Sequence, residues 1–163
     1  MKIGKIVVCT GCLLLAIVGC QSTPKEPKVP VDDSIQALAC ELAANAIESN
    51  RLNGDKRPVL AFGRIQNDTM SVTPACLDLM KSRIAEMFSG SGLVRVLPAT
   101  ESMNQGANRP MPTHILHGRI AQRETMARDG RKQVMYTLQL SISDVPSGMR
   151  VWNGQRSVGF AID

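Results

Sequence analysis

The most constraining feature of this chain is a switch to period-two alternation that begins at Thr113. Apolar side chains occupy every second position from 134 to 142, and mostly polar side chains lie between them. Alternation of this kind is typical of a β-strand with one face in the core and the other toward solvent. The apolar set is Val134, Tyr136, Leu138, Leu140 and Ile142, and the other set is Met135, Thr137, Gln139, Ser141 and Ser143. The chain is therefore predicted to fold around a sheet that is covered on one face.

Three strands are predicted in this region, over residues 114–122, 133–143 and 149–162. The sequences Arg128-Asp129-Gly130 and Pro146-Ser147-Gly148 separate them. Glycine, aspartate and proline supply the backbone angles that tight turns need. Strands joined by such short turns pair antiparallel, so the fold is expected to end in an antiparallel meander.

Upstream of the meander, helical and strand patterns alternate. Apolar residues from Ile35 to Ile47 recur at intervals of three and four, which predicts an amphipathic helix with Asp33 as its N-terminal cap. An apolar run over residues 59–65 predicts a buried strand, and the polar residues 66–69 predict the turn that leaves it.

A second helix is predicted after this turn. Thr73 followed by Pro74 is typical of a helix start, because the hydroxyl caps free amides and proline has no amide to satisfy. Gly90 suits the C-terminal cap, residues 93–97 predict a second strand, and residues 99–112 predict a short helix or an irregular loop. This order predicts an α+β fold, with a mixed sheet of about five strands, helices packed on it and the meander at the end.

The beginning of the chain is typical of a bacterial lipoprotein. Lys2 and Lys5 precede an apolar run, residues 6–18, that is too short to cross a bilayer as a helix. Ile-Val-Gly-Cys at positions 17–20 predicts cleavage before Cys20, whose thiol would then carry a diacylglycerol. Two or three acyl chains hold a protein durably in a membrane. A plain secretory signal with an incidental cysteine is the alternative.

The sequence thus predicts three parts, which are a signal peptide over 1–19, a lipidated cysteine with a proline-rich tether over 20–33, and a globular domain over 34–163. The three prolines of the tether favour an extended conformation, with a reach of about 40 Å. Gln21 after the cysteine resembles an outer-membrane sorting signal. The domain is therefore expected to be lipid-anchored to the outer membrane and to face the periplasm.

Composition argues against nucleic-acid binding and against catalysis. The net charge is +5 with the two leader lysines and +3 without them, aromatic residues make up 3%, and basic residues are scattered. Nucleic-acid-binding proteins concentrate basic and aromatic side chains instead. His114 and His117 are predicted to lie on opposite faces of one strand, where they cannot hold one metal. We expect no catalytic set, metal, cofactor or small-molecule substrate, and therefore not an enzyme.

Two cysteines remain once the leader and the lipid attachment site are set aside. Cys40 and Cys76 would lie in the oxidising periplasm, where a disulfide is the natural expectation. Closing a loop of that length stabilises a fold by about 4 kcal/mol on the chain-entropy model. The alternative is that both are small buried apolar residues that never meet.

Two stretches of the chain resemble a known family. They are VLAFGRIQNDTMSVTPACLDLMKSRIAEMFSGSGLVRVL, and THILHGRI with the later YTLQLSISDVPSGMRVWNGQ. Together they cover most of residues 59–158 and are similar to the penicillin-binding protein activators of the LpoB family. The positions that carry the resemblance are Ile65, Asn67 and Thr69 in a turn, Gly118 in a strand, and Gly148 with Val151 and Trp152 in the last hairpin.

This resemblance implies an outer-membrane lipoprotein without chemistry of its own. It would bind a class A penicillin-binding protein and stimulate peptidoglycan synthesis by contact. Asn67 and Thr69 are predicted mainly to fix their turn, and Trp152 is predicted to be half-buried at the sheet margin. The periplasmic fold of the TolB N-terminal domain and of CsgG uses similar sequences, so a structural component of an envelope or secretion assembly is the alternative.

Overall fold

The chain is described by a computed structural model over residues 31–52, 57–97 and 111–161. The predicted signal peptide, Cys20, the tether as far as residue 30 and most of the segment 99–112 lie outside the described residues. The helices and strands are, in order, α1 (Val31–Glu48), β1 (Val59–Asp68), α2 (Pro74–Gly90), β2 (Arg95–Val96), β3 (His114–Met126), β4 (Lys132–Asp144) and β5 (Arg150–Ala161).

The five strands form one mixed sheet in the order β2-β1-β3-β4-β5. Strand β1 is parallel to β2 and β3, whereas β3, β4 and β5 are antiparallel neighbours. The predicted α+β fold with a closing meander is therefore confirmed. The two glycines predicted in the meander turns, Gly130 and Gly148, both have positive φ, at 83° and 66°.

Both helices pack on the same face of the sheet and share one hydrophobic core with it. The apolar face predicted for β4 lies in this core, since Tyr136, Leu138, Leu140 and Ile142 are buried and Val134 is half-buried. Fully burying one such Leu or Ile side chain stabilises the fold by about 1.5–3 kcal/mol. The alternate residues of β4 point to the other face, which we call the open face.

The structure corrects two predicted helix caps. Helix α1 begins at Val31, so Asp33 lies in its first turn, where an acidic side chain interacts favourably with the helix dipole. Helix α2 begins as predicted, with Thr73 as its N-cap and proline in the first turn, but Gly90 is its last residue. The positive φ that ends this region belongs to Gly92, at 72°.

Two strand boundaries also differ from the prediction. Strand β1 continues through the predicted turn to Asp68, because Gln66 and Asp68 occupy open-face positions paired with β3. Strand β2 has only two residues. Its apolar neighbours Val94 and Leu97 are buried in the core rather than extending a long ladder.

The disulfide predicted between Cys40 and Cys76 is not present, and both cysteines are free. The thiol of Cys76 lies 3.6 Å from the backbone carbonyl of Asp32, at the N-terminal end of α1. Cys40 is eight residues further along the same helix, an axial rise of about 12 Å. A disulfide needs Cα atoms within about 7 Å of each other, so the helix packing keeps the two thiols apart.

Candidate functional site

The two histidines singled out in the sequence lie on opposite faces of β3, as predicted. His114 is half-buried, with Nδ1 3.0 Å from the Thr113 hydroxyl, and burial lowers its pKa. His117 is exposed and lies against Gly63, where an added Cβ would come within 2.6 Å of the imidazole. Within residues 31–52, 57–97 and 111–161, no three His, Cys, Asp or Glu side chains are grouped so as to hold a metal ion.

The turn after β1 is held together by its own side chains. The Asn67 carboxamide oxygen accepts hydrogen bonds from the amide of Thr69 at 3.1 Å and from its hydroxyl at 2.8 Å. The Asn67 amide group donates to the carbonyl of Val72 at 3.0 Å. These contacts agree with the prediction that Asn67 and Thr69 fix the turn.

Gly118, in the centre of β3, is closely packed. A Cβ at this position would lie 3.0 Å from Leu140 and 3.3 Å from Ile65. Gly148 is required by backbone conformation instead, because its positive φ is one that residues with a side chain rarely adopt. The structure therefore gives both glycines structural roles.

The open face is the first surface with the properties of a contact site. Most of its side chains are polar or basic along the four long strands, although Ile115, Ala121 and Met135 also lie on it. The members are Arg64, Gln66, Asp68, His117, Arg119, Arg123, Thr137, Gln139, Ser141, Asn153, Gln155 and Ser157. Three arginines against one aspartate make this face basic.

A short chain of polar contacts orders one part of the open face. Asp68 accepts a hydrogen bond from the Gln66 carboxamide at 2.7 Å and one from the Arg119 guanidinium at 2.7 Å. These two hydrogen bonds lower the pKa of the Asp68 carboxyl, with the bond from Gln66 contributing most. The contact between Arg119 and Asp68 links β3 to β1 on the open face.

A groove between α1 and β5 is the second candidate surface. Its volume is about 410 Å³. The lining residues are Leu42, Asn45, Glu48, Ser49, Trp152, Asn153, Gly154 and Arg156. Trp152 is half-buried, as predicted, and its indole lies over Gly154, where an added Cβ would come within 2.7 Å of the ring and 2.8 Å of Leu42.

Charge is divided between the two layers of the molecule. The helices carry six acidic and two basic residues, for a net charge of −4. The strands carry three acidic and seven basic residues, for a net charge of +4. The open face is therefore the basic side of the domain, and the helix side is acidic.

Comparison with known proteins finds one family model that matches part of the chain. Residues 97–158 match the family model described as peptidoglycan-synthase activator LpoB. The resemblance predicted from the sequence is confirmed over this stretch. The match to LpoB covers all of β3 and β4 and most of β5, and it includes Gly118, Gly148 and Trp152.

Solved structures of LpoB domains also resemble the chain. The LpoB C-terminal domain from Escherichia coli is 10% identical with a TM-score of 0.46, and the similarity covers 74% of this chain and 97% of that domain. The corresponding domain from Salmonella enterica is 9% identical with a TM-score of 0.46, over 76% and 96% of the two chains. A PelC dodecamer from Paraburkholderia phytofirmans is 25% identical with a TM-score of 0.37, over 64% and 72%. No curated protein sequence matches the chain.

Neither helix in the described part of the chain has the length and apolar character needed to span a membrane.

Proposed function

We propose that this protein is an outer-membrane lipoprotein that binds and activates a peptidoglycan synthase, and that the synthase is a class A penicillin-binding protein. The observation that carries the proposal is the LpoB family match over residues 97–158. That segment builds the β3–β4–β5 meander, whose exposed side is the open face. The protein acts by contact and contributes no catalytic group.

The open face has the size and chemistry of a protein contact surface. Strands β3, β4 and β5 have 13, 13 and 12 residues, so together with β1 they span about 40 Å by 20 Å. This area is close to the roughly 800 Å² that each partner gives to a standard interface. Arg64, Arg119 and Arg123 favour a synthase surface rich in carboxylates, because complementary charge speeds and orients association.

The anchor is part of the same proposal. Cys20 carries the acyl chains, and the tether leads to the start of α1 at Val31. The globular domain is then held in the periplasm, on the inner side of the outer membrane. Mass spectrometry of the mature protein tests the anchor, since a free thiol at Cys20 would contradict it.

Binding and activation are tested with purified class A penicillin-binding proteins. We expect the full lipoprotein in detergent to retain a synthase in a pull-down and to raise its rate of glycan polymerisation. The variant Arg64→Glu with Arg123→Glu reverses charge on the open face and should lose both effects. Arg83→Glu reverses one charge on the exposed surface of α2 and serves as the control for charge reversal elsewhere on the domain. Equal activity of both variants would exclude the open face, and no stimulation by the unaltered protein would exclude the function.

Size analysis of the detergent-extracted protein separates this function from the alternative. A structural component of an envelope or secretion assembly would migrate as a ring or another large complex. A contact activator would migrate as a small species and form a complex when the synthase is added.

A further inference from the structure

Strand β5 is an edge of the sheet. It is the last strand in the order β2-β1-β3-β4-β5, and it pairs with β4 along most of its 12 residues. One side of its backbone therefore has no partner strand among the described residues. Unpaired amides and carbonyls on a long edge form a template for another extended segment.

The groove along this edge adds an apolar floor. Trp152 and Leu42 meet over Gly154, and Asn45 and Ser49 of α1 lie beside them. A strand added to β5 would point alternate side chains into this groove, because successive side chains of a strand face opposite sides. One of these side chains would lie against the indole.

The groove has a negative charge on its helix side, from Glu48 of α1, and a positive charge on its strand side, from Arg156 of β5. Helix α1 contains four acidic residues and no basic residue. The Glu41 carboxylate forms an ion pair with the Arg156 guanidinium at 3.8 Å. Glu48 lines the groove and has no ion-pair partner among the described residues. An incoming segment would meet negative charge on its helix-facing side.

We propose that the edge of β5 binds an extended basic segment of another protein by strand addition. The segment adds a sixth strand to the sheet, places an apolar side chain on Trp152, and directs Lys or Arg side chains toward Glu48 and Glu41. This site lies on the helix side and the edge of the sheet. It is therefore separate from the open face, and it does not depend on synthase activation.

A second copy of this chain fits the edge less well. Arg156 lies near the middle of β5 on the helix side, and a charge at such a position opposes pairing between identical edges. A two-fold pair of β5 strands would also bring two α1 helices side by side, each with a net charge of −4. Repulsion between them favours a partner of opposite charge.

Trp152 is the only tryptophan of the chain, so its fluorescence reports directly on the groove. The probes are ten-residue peptides with Ser at every second position, so that the remaining side chains share one face of the strand. Those remaining positions alternate Val with Lys in the first peptide and Val with Glu in the second, and the third is the Val-Lys peptide with backbone N-methylation at every second residue. They are titrated into the full lipoprotein in detergent. The Val-Lys peptide should give a saturable change in emission, the Val-Glu peptide should bind at least ten-fold more weakly, and N-methylation should abolish binding.

Each other result overturns the proposal. No response to the Val-Lys peptide removes the site, equal binding of the Val-Glu peptide removes the charge assignment, and unchanged binding of the N-methylated peptide removes strand pairing. The variant Glu48→Lys should weaken the Val-Lys peptide about five-fold, while Glu86→Lys, the same change at an exposed position of α2, should leave it unchanged. Hydrogen exchange with the Val-Lys peptide bound should slow at β5 amides, and protection elsewhere alone would exclude the edge.

Discussion

At the scale of single residues, Gly154 is a position where the packing leaves no room for a side chain. The indole of Trp152 and the Leu42 side chain occupy the space that a Cβ would need. We expect Gly154→Ala to lower the free energy of unfolding by about 1–3 kcal/mol, because the core must shift to admit a methyl group. Tryptophan emission should change as well.

Gly90→Ala is the matched control for this prediction. An added Cβ at Gly90 meets nothing within 4 Å, and alanine favours a helix over glycine. The free energy of unfolding of the Gly90→Ala variant, measured by chemical denaturation, should be unchanged or slightly higher than that of the unaltered protein. Equal loss of stability in the two variants would show that Gly154 is not constrained by the indole.

Cys76 offers a second prediction at this scale. Burial, followed by the charge of Asp32, raises the pKa of its thiol from 9.0 to about 11. At pH 8 the native thiol should therefore supply about a hundred-fold less reactive thiolate than the unfolded chain. Iodoacetamide labelling followed by mass spectrometry should show much slower modification of Cys76 in native protein than in guanidinium. Similar rates in the two conditions would contradict the burial of this thiol.

The same pKa predicts how stability depends on alkaline pH. The native thiol keeps its proton above the pH at which the unfolded thiol loses it, so unfolding releases a proton between pH 9 and about 11. The contribution of Cys76 to stability is complete below pH 9 and is lost as the pH rises through that range. A Cys76→Ala variant should show a weaker dependence on pH there.

At the scale of elements, Thr73 joins the two helices. Its hydroxyl accepts a hydrogen bond from the amide of Cys76 at 3.1 Å and donates to the Asp32 carboxylate at 2.8 Å. Thr73→Ala removes both contacts and should lower the free energy of unfolding by about 1–2 kcal/mol. Thr73→Ser keeps the hydroxyl and should retain most of the stability in the same denaturation experiment. A larger loss in Thr73→Ser than in Thr73→Ala would contradict this role.

Arg156 is a second element-scale feature, because it places a charge on the core side of an edge strand. Its guanidinium pairs weakly with Glu41, at 3.8 Å, with both side chains about half exposed. Such inward charges keep sheet edges from pairing with each other. We expect Arg156→Val to self-associate at concentrations where the unaltered protein does not, as measured by analytical ultracentrifugation. Gln155→Val adds the same side chain on the open face and should self-associate less.

The elements that the sequence predicts well depend on local signals. The alternation of β4, the Thr73-Pro74 helix start and the turn glycines each act within a few residues, and the structure contains all three. The sequence-based predictions are wrong where contacts between residues distant in the sequence determine the structure. Strand β1 reaches Asp68 because β3 pairs with it there, and Cys76 faces Asp32 rather than Cys40 because of how two helices pack.

The two candidate surfaces also could not be predicted from local sequence patterns. The polar side of β4 predicts that the sheet has an open face, but the arginines on it come from β1 and β3. Only the register of those strands brings Arg64, Arg119 and Arg123 to one surface. The groove likewise joins α1 to β5, which are about a hundred residues apart in the sequence. No local pattern predicts either juxtaposition.

At the scale of the whole molecule, the negative helix layer and the positive sheet layer give the domain an electrostatic dipole. The helices have a net charge of −4 and the strands +4, although the sequence outside the leader has only +3 in total. A partner with an acidic surface is attracted to the open face and repelled from the helix side. Orientation is therefore favoured before contact, which raises the rate of productive encounters.

This electrostatic orientation predicts a particular dependence on salt. The association rate with an acidic synthase surface should fall about ten-fold between 50 and 500 mM NaCl, because salt at the higher concentration screens charges beyond a few ångströms. The dissociation rate should change much less, since it depends on short-range packing. Surface plasmon resonance with the synthase immobilised separates the two rates. Arg64→Glu with Arg123→Glu should flatten the dependence of the association rate, whereas Arg83→Glu on the helix side should leave it in place. A salt effect confined to dissociation would mean that the charged layers do not guide the encounter.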